Sequence, residues 1–140
     1  MTCDIVKITA ALNAYPWTRG AYSMRQGDNA VYCAVGLLLR FAGVPQADIA
    51  CAGHSGGIWA RYHEILESEY GITEPAMIHS IIQANDSATS HDEAIEQVQF
   101  VVDGGDLVEL LRARQAAAEE LAAAARERLG DDGGACGAVV

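Results

Sequence analysis

The chain has 140 residues, enough for one domain with a core of its own and no metal or disulfide cross-links. Nine basic and nineteen acidic residues give a formal net charge of −10, and only one of the basic residues is lysine. Because nucleic-acid affinity depends on basic side chains that neutralise phosphates, this composition argues against direct DNA or RNA binding.

The sequence also shows no pattern typical of a membrane span, a signal peptide or a set of disulfides. No apolar run approaches the ~18 residues that a membrane span requires, and the N-terminus has an acidic residue where a signal peptide carries positive charge. The four cysteines are scattered without a C-x-x-C pair, which is not a disulfide framework. We therefore expect a cytoplasmic protein that neither crosses nor binds a membrane.

The acidic residues are concentrated in the middle of the chain. Residues 61–106 contain ten acidic residues and one basic residue, whereas the 60 residues before them are close to neutral. Such a surface suits solubility or the binding of a basic partner. We expect another protein, basic in character, as the partner.

Helical patterns follow one another along the chain. A first helix is predicted from Asp4 to about Tyr15, followed by a loop or short hairpin over residues 17–27. The longest apolar run predicts a central buried helix over residues 29–43, with Asp28 or Asn29 at its start and Gly43 and Pro45 at its end.

The rest of the chain predicts a short turn, four more helices and a tail. A short turn over 45–51 precedes a helix over 58–70, which Gly71 ends. Thr73 is the predicted N-cap residue of the next helix, which Pro75 opens and which stops near Asn85. Ser90 and Glu93 form a capping box at the start of the next helix. An alanine-rich helix spans 106–129, where it docks on the domain or pairs with a second copy, and residues 130–140 are a flexible tail.

These patterns predict an all-α fold. Five to six helices form a compact bundle around the central helix, so that residues 1–105 make one helical domain. The helix over 106–129 and the tail over 130–140 follow that domain. The large apolar residues of the long helix lie mostly in its first turns, which favours docking there.

Cys33 is the candidate nucleophile. Within the predicted helix it lies one turn from the N-terminus, where the helix dipole favours a thiolate. A base would come from His54 in a glycine-rich loop or from His79, with Asp86 to orient it. The structural alternative is that Cys33 is a small buried core residue, and on this reading the protein is not an enzyme.

A metal site has weaker support. Cys51, His54 and His63 could supply three ligands, but their spacing matches no closed zinc pattern. We expect no metal and no other cofactor.

Short motifs give a resemblance to a known family. Trp17-x-x-Gly20, the run from Tyr32 to Gly36 with Cys33 in it, and Ile82-x-x-Asn85-Asp86 resemble an uncharacterised family of small helical domains from high-GC bacteria and their phages. The resemblance spans residues 5–102, with Ala84 where that family often has an aromatic residue. It implies the fold but no activity, and it marks six positions as candidate binding residues: Trp17, Gly20, Cys33, Gly36, Asn85 and Asp86.

Three functions follow from these observations. The first is a protein-interaction or regulatory domain, phage-encoded or host-directed, that binds its partner through the acidic region or the C-terminal helix and forms a homodimer through that helix. The second is a thiol-dependent hydrolase or transferase that uses Cys33. The third is a folded carrier whose tail is modified or delivered.

Overall fold

The computed structural model describes residues 3–18, 21–26, 29–51 and 55–139. A first unit ends at Leu107 and a second begins at Val108. The described residues form seven helices and one small sheet: α1 (Ile5–Leu12), β1 (Ser23–Gln26), β2 (Asn29–Tyr32), α2 (Ala34–Phe41), α3 (Gln46–Ala50), α4 (Ser55–Tyr70), α5 (Pro75–Asp86), α6 (His91–Val102) and α7 (Leu107–Val139). The all-α class is confirmed, and within the described ranges no helix is both long and apolar enough to cross a bilayer.

The core of the first unit is built around α2. This helix contacts α1, α3, α4, α5 and α6, and every residue from Ala34 to Leu39 is buried. A helix that is apolar on all sides must be surrounded by other elements, and the five contacting helices surround this one. The prediction of a central buried helix is confirmed.

The N-terminal boundary of that helix was predicted wrongly. Residues 29–32 form β2 and not the first helical turn, and Cys33 is the N-cap residue with an extended ψ of 174°. The physical reason is pairing: β2 is antiparallel to β1, with Ser23 opposite Tyr32. Val31 and Tyr32 are also residue types that favour strands.

A loop or short hairpin was predicted over residues 17–27, but the two paired strands are β1 and β2, so only β1 lies within the predicted range. A third segment joins the free edge of β2, where the Thr18 amide donates to the Tyr32 carbonyl at 2.8 Å and the Tyr32 amide donates to the Pro16 carbonyl at 2.9 Å. This pairing fixes Trp17 beside the start of α2. The first helix, predicted to reach Tyr15, ends at Leu12.

The other helix ends follow the expected capping chemistry. The Ser90 hydroxyl accepts from the Glu93 amide at 3.1 Å at the start of α6, and Gly71 after α4 has a positive φ of 71°. Pro75 is the first residue of α5, which ends at Asp86 as predicted. The N-cap residue of α5 is Glu74, one position after the predicted Thr73.

The second unit is formed by α7 alone. Three of its large apolar residues are exposed, with Val108 at 53%, Leu121 at 73% and Leu129 at 61% of their accessible area, whereas Leu110 and Leu111 are partly buried. Backbone helix continues to Val139, so it extends past the predicted end at residue 129 and into the predicted tail. Docking or dimer formation by this helix stays a prediction.

Candidate functional site

Cys33 stands at the junction between strand and helix. Its amide donates to the Tyr22 carbonyl at 3.2 Å, and the residue is only 4% exposed. Burial, the largest influence, raises the pKa of the thiol, the Gly36 and Val35 amides lower it, and the net result is a rise from 9.0 to about 11. Cys33 is therefore a protonated thiol at neutral pH, whereas a cysteine nucleophile acts as a thiolate.

Asn85 is the centre of the hydrogen-bond network beside Cys33. Its Oδ1 accepts from Trp17 Nε1 at 2.7 Å and from the Ala34 amide at 2.9 Å. Its Nδ2 donates to the Thr18 carbonyl and to Asp86 Oδ1, each at 3.3 Å. An amide side chain has two acceptor sites and two donor hydrogens, so Asn85 uses all four.

This network gives Asn85 the role of a cap supplied from another helix. Ala34 is the first residue of α2, and its amide has no acceptor within the helix. Cys33, at the N-cap position, makes no side-chain capping bond there. The side chain of Asn85, 51 residues further along the chain, accepts from that amide instead.

Gly36 makes the close approach between α2 and the hairpin possible. A Cβ atom added at this position would lie 1.9 Å from the Tyr22 carbonyl oxygen. Gly36 is one of the predicted site residues, and the backbone of Tyr22 leaves no room for a side chain at this position. The absence of a side chain lets Tyr22 pack against the first turn of α2.

A cavity of about 360 Å³ opens beside these residues. Ile82 and Asp86 contribute to it from one face of α5, one helical turn apart, while Ser23 is fixed by a 3.1 Å bond from Gln46 Nε2 to its hydroxyl. Among the described residues, the cavity is lined by Ala21, Tyr22, Ser23, Cys33, Ala50, Ile82 and Asp86. The wall thus combines a carboxylate, hydroxyls and a thiol with apolar side chains.

Five of the six positions marked by the short motifs meet at this place. Trp17 and Asn85 are bonded to each other, Cys33 and Asp86 line the cavity, and Gly36 allows the hairpin to approach. Gly20 lies outside the described residues. Each position has a structural explanation on its own, and their convergence on one cavity makes it the candidate site.

Of the two histidines proposed as bases, only His79 lies in the described part of the chain. His79 is exposed on α5 and does not line the cavity, and His54 lies outside the described residues. Thiol chemistry with His54 therefore stays a prediction, and the raised pKa of Cys33 argues against it.

The proposed metal ligands do not form a cluster in the described residues. Cys51 is exposed, and His63 Nδ1 lies 3.0 Å from the Trp59 carbonyl of its own helix. Across the described ranges, no three His, Cys, Asp or Glu side chains are placed to hold a metal ion.

His91 belongs to the same region of the fold but was not among the predicted site residues. Its ring is stacked on Trp17, with centroids 6.2 Å apart and planes 6° apart, and its Nε2 donates to the Leu12 carbonyl at 2.6 Å. Ile82 and Ala50 were also missed as cavity residues. The spacing of Ile82 and Asp86 could have predicted that both face the same site, because residues four apart share a helix face.

Comparisons with protein-family models, curated proteins and solved structures give no match to this chain. The resemblance to a family of small helical domains is therefore neither supported nor contradicted.

Proposed function

We propose that this protein is a binding domain and not an enzyme, and that the cavity beside Cys33 receives a side chain of another protein. The observation that carries the proposal is the cavity itself, whose volume of about 360 Å³ lies within the range of ~300–1,000 Å³ for small-molecule sites. A cytoplasmic domain that binds another protein in this way would have an accessory or regulatory role.

Rigidity supports a recognition role. Asn85 is fully buried and connects α5, the start of α2 and the segment around Trp17 by four hydrogen bonds. A cavity whose wall is already ordered loses little conformational entropy when a ligand binds. Recognition needs this preorganisation but does not need a reactive thiol.

The state of Cys33 supports binding over catalysis. The thiol is buried, and its pKa lies well above neutral pH. A protonated thiol is a weak hydrogen-bond donor and a small apolar surface, which suits the wall of a binding cavity.

The acidic middle of the chain supports a protein partner with basic character. Residues 61–106 carry ten acidic residues and one basic residue, and α5 and α6 within this range pack on each other. Complementary charge mainly accelerates association and selects the partner. The binding should therefore weaken as the salt concentration rises.

A peptide selection tests the proposal. Random peptides are selected on the full chain, and the selected peptides are then bound to Ala50→Trp, which fills the cavity, and to Ala60→Trp, which adds the same bulk at an exposed position on α4. We expect binding to survive in A60W and to be lost in A50W. A library that yields no binding peptide, or peptides that both variants bind equally, contradicts the proposal.

A further inference from the structure

The hairpin leaves the peptide groups of Ser23 on the outer edge of β1. Ser23 lies opposite Tyr32 in the antiparallel register. The amide of Tyr32 donates to the Pro16 carbonyl and its carbonyl accepts from the Thr18 amide, so both groups point away from β1. Directly opposite residues of an antiparallel pair either exchange both hydrogen bonds or both point away from each other. The amide and carbonyl of Ser23 therefore point away from β2.

No described residue bonds to these two peptide groups. The Ser23 hydroxyl accepts from Gln46 Nε2, and this is the one hydrogen bond that Ser23 forms within the described ranges. The residue is nevertheless only 7% exposed. Buried backbone donors and acceptors are almost always paired, because an unpaired one costs free energy. A ligand that bonds to this amide and this carbonyl would remove that cost.

Ser23 belongs to the wall of the cavity. It lines the cavity together with Ala50 of α3, and α3 contacts β1. Tyr22, just before β1, and Cys33, just after β2, line it as well. Since the hydroxyl of Ser23 is bonded to Gln46, the amide and the carbonyl are what this residue offers to a ligand. The cavity thus has a neutral donor and a neutral acceptor side by side.

The chemistry of these two groups selects one class of side chain. A carboxylate offers acceptors only, and an ammonium or guanidinium group offers donors only. A primary carboxamide has an acceptor oxygen and a donor nitrogen in one plane. It can therefore bond to the amide and the carbonyl of one residue together, as a residue of a neighbouring strand does. Asparagine and glutamine are the side chains that have this group.

We infer that the cavity takes the carboxamide of an asparagine or glutamine side chain of the partner. Its oxygen accepts from the Ser23 amide and its nitrogen donates to the Ser23 carbonyl, while its methylene groups contact Ala50 and Ile82 of the same cavity. This inference rests on the proposed function and names the ligand class of the same site.

Small probes of matched shape separate the ligand classes. Butyramide represents the glutamine side chain, and methyl propyl ketone has the same shape without the donor. Butyrate offers acceptors only, and n-butylammonium offers donors only. Each probe is titrated into the full chain, and the amide resonances of Tyr22, Ser23 and Cys33 are followed by NMR. We expect a saturable downfield shift of the Ser23 amide proton with butyramide and clearly weaker binding of the other three probes.

Two variants at one position assign the effect to the Ser23 amide. Ser23→Pro removes this donor, and proline is tolerated at the first residue of an edge strand whose amide points outward. Ser23→Ala is the matched control, because it also removes the hydroxyl but keeps the amide. We expect the dissociation constant of butyramide to be about tenfold or more higher in S23P than in S23A, and that of S23A to stay within about twofold of the wild-type chain. The amide spectrum of each variant shows whether it is folded.

The outcomes distinguish the two levels of the proposal. If the ketone, butyrate or n-butylammonium binds as tightly as butyramide, or if folded S23P binds butyramide as tightly as S23A, the carboxamide class is wrong while the cavity remains a binding site. The comparison of probes on the wild-type chain decides this even if S23P does not fold. If butyramide causes no shift, the carboxamide class is overturned, and the peptide selection with A50W and A60W decides separately whether the cavity is a recognition site.

Discussion

The Asn85 network and α7 show two different ways in which this chain forms structure. Asn85 bonds to groups 51 and 68 residues away in the sequence, so its contribution depends on the whole fold of the first unit. By contrast, α7 forms from local preference, because alanine, leucine, glutamate and arginine favour helix, and Leu121 and Leu129 in its later turns remain exposed. A substitution in the network should affect the first unit as a whole, whereas one in α7 should have a local effect.

The largest effect is expected for Asn85→Ala. The substitution leaves Trp17 Nε1 and the Ala34 amide without their acceptor, and a buried unsatisfied group costs about 1–3 kcal/mol. We therefore expect the free energy of unfolding to fall by about 3–4 kcal/mol, measured by chemical denaturation followed by circular dichroism.

Two control variants sharpen this result. Asn85→Asp keeps an oxygen for the two donors but loses both donor hydrogens and places a second, buried carboxylate against Asp86 Oδ1, so at neutral pH it should also be strongly destabilised. Gln83→Ala changes an exposed side chain on the same helix and should cost less than about 0.5 kcal/mol. If N85A and Q83A had the same free energy of unfolding, the Asn85 network would not stabilise the first unit as predicted.

Gly36→Ala should have the next largest effect. Alanine favours helix over glycine by about 1 kcal/mol, but here its Cβ would lie 1.9 Å from the Tyr22 carbonyl oxygen. We expect a net loss of about 1–3 kcal/mol and shifted NMR resonances at Tyr22 and Cys33. A stabilised variant would mean that helix preference outweighs the close contact.

Cys33→Ser should change the pH dependence of stability. The thiol pKa is about 11 in the folded chain against 9.0 ordinarily, so the unfolded chain loses this proton first. Stability from the protonated thiol is complete below pH 9 and is lost by about 3 kcal/mol as pH rises to 11. Serine does not ionise in this range, so denaturation curves of C33S should show a weaker decline there, and equal declines would contradict the raised pKa.

The smallest effect on the first unit is expected for Leu121→Glu in α7. If α7 pairs with a second copy, this charge should abolish the dimer in light scattering while the stability of the first unit changes by less than about 0.5 kcal/mol. A wild-type chain that is monomeric at high concentration would contradict the pairing.

Local signals predicted the helices well. Pro75, Ser90 and Gly71 act through chemistry within one helical turn, and each has its expected place in the structure. The start of α2 was mistaken because the apolar run from Val31 continues through strand and helix alike, and only pairing with residues 23–26 decides between them. The periodicity of the sequence gives no information on which segments pair.

The site was predicted in part. Trp17, Cys33, Gly36, Asn85 and Asp86 were singled out, but their meeting at one cavity depends on contacts between distant segments. The interpretation of Cys33 as an activated thiol considered the helix dipole and left burial open, and burial has the larger effect on its pKa. His91 was missed because its stacking on Trp17 has no counterpart in the local pattern.

The remote cap on α2 also has a consequence for the order of folding. During synthesis the Ala34 amide and the Trp17 indole leave the ribosome well before Asn85 does, so their shared acceptor arrives last. The start of α2 and the hairpin beside it can reach their final arrangement only after α5 has formed and docked. The Asn85 network should therefore form only in chains in which α5 is complete and docked.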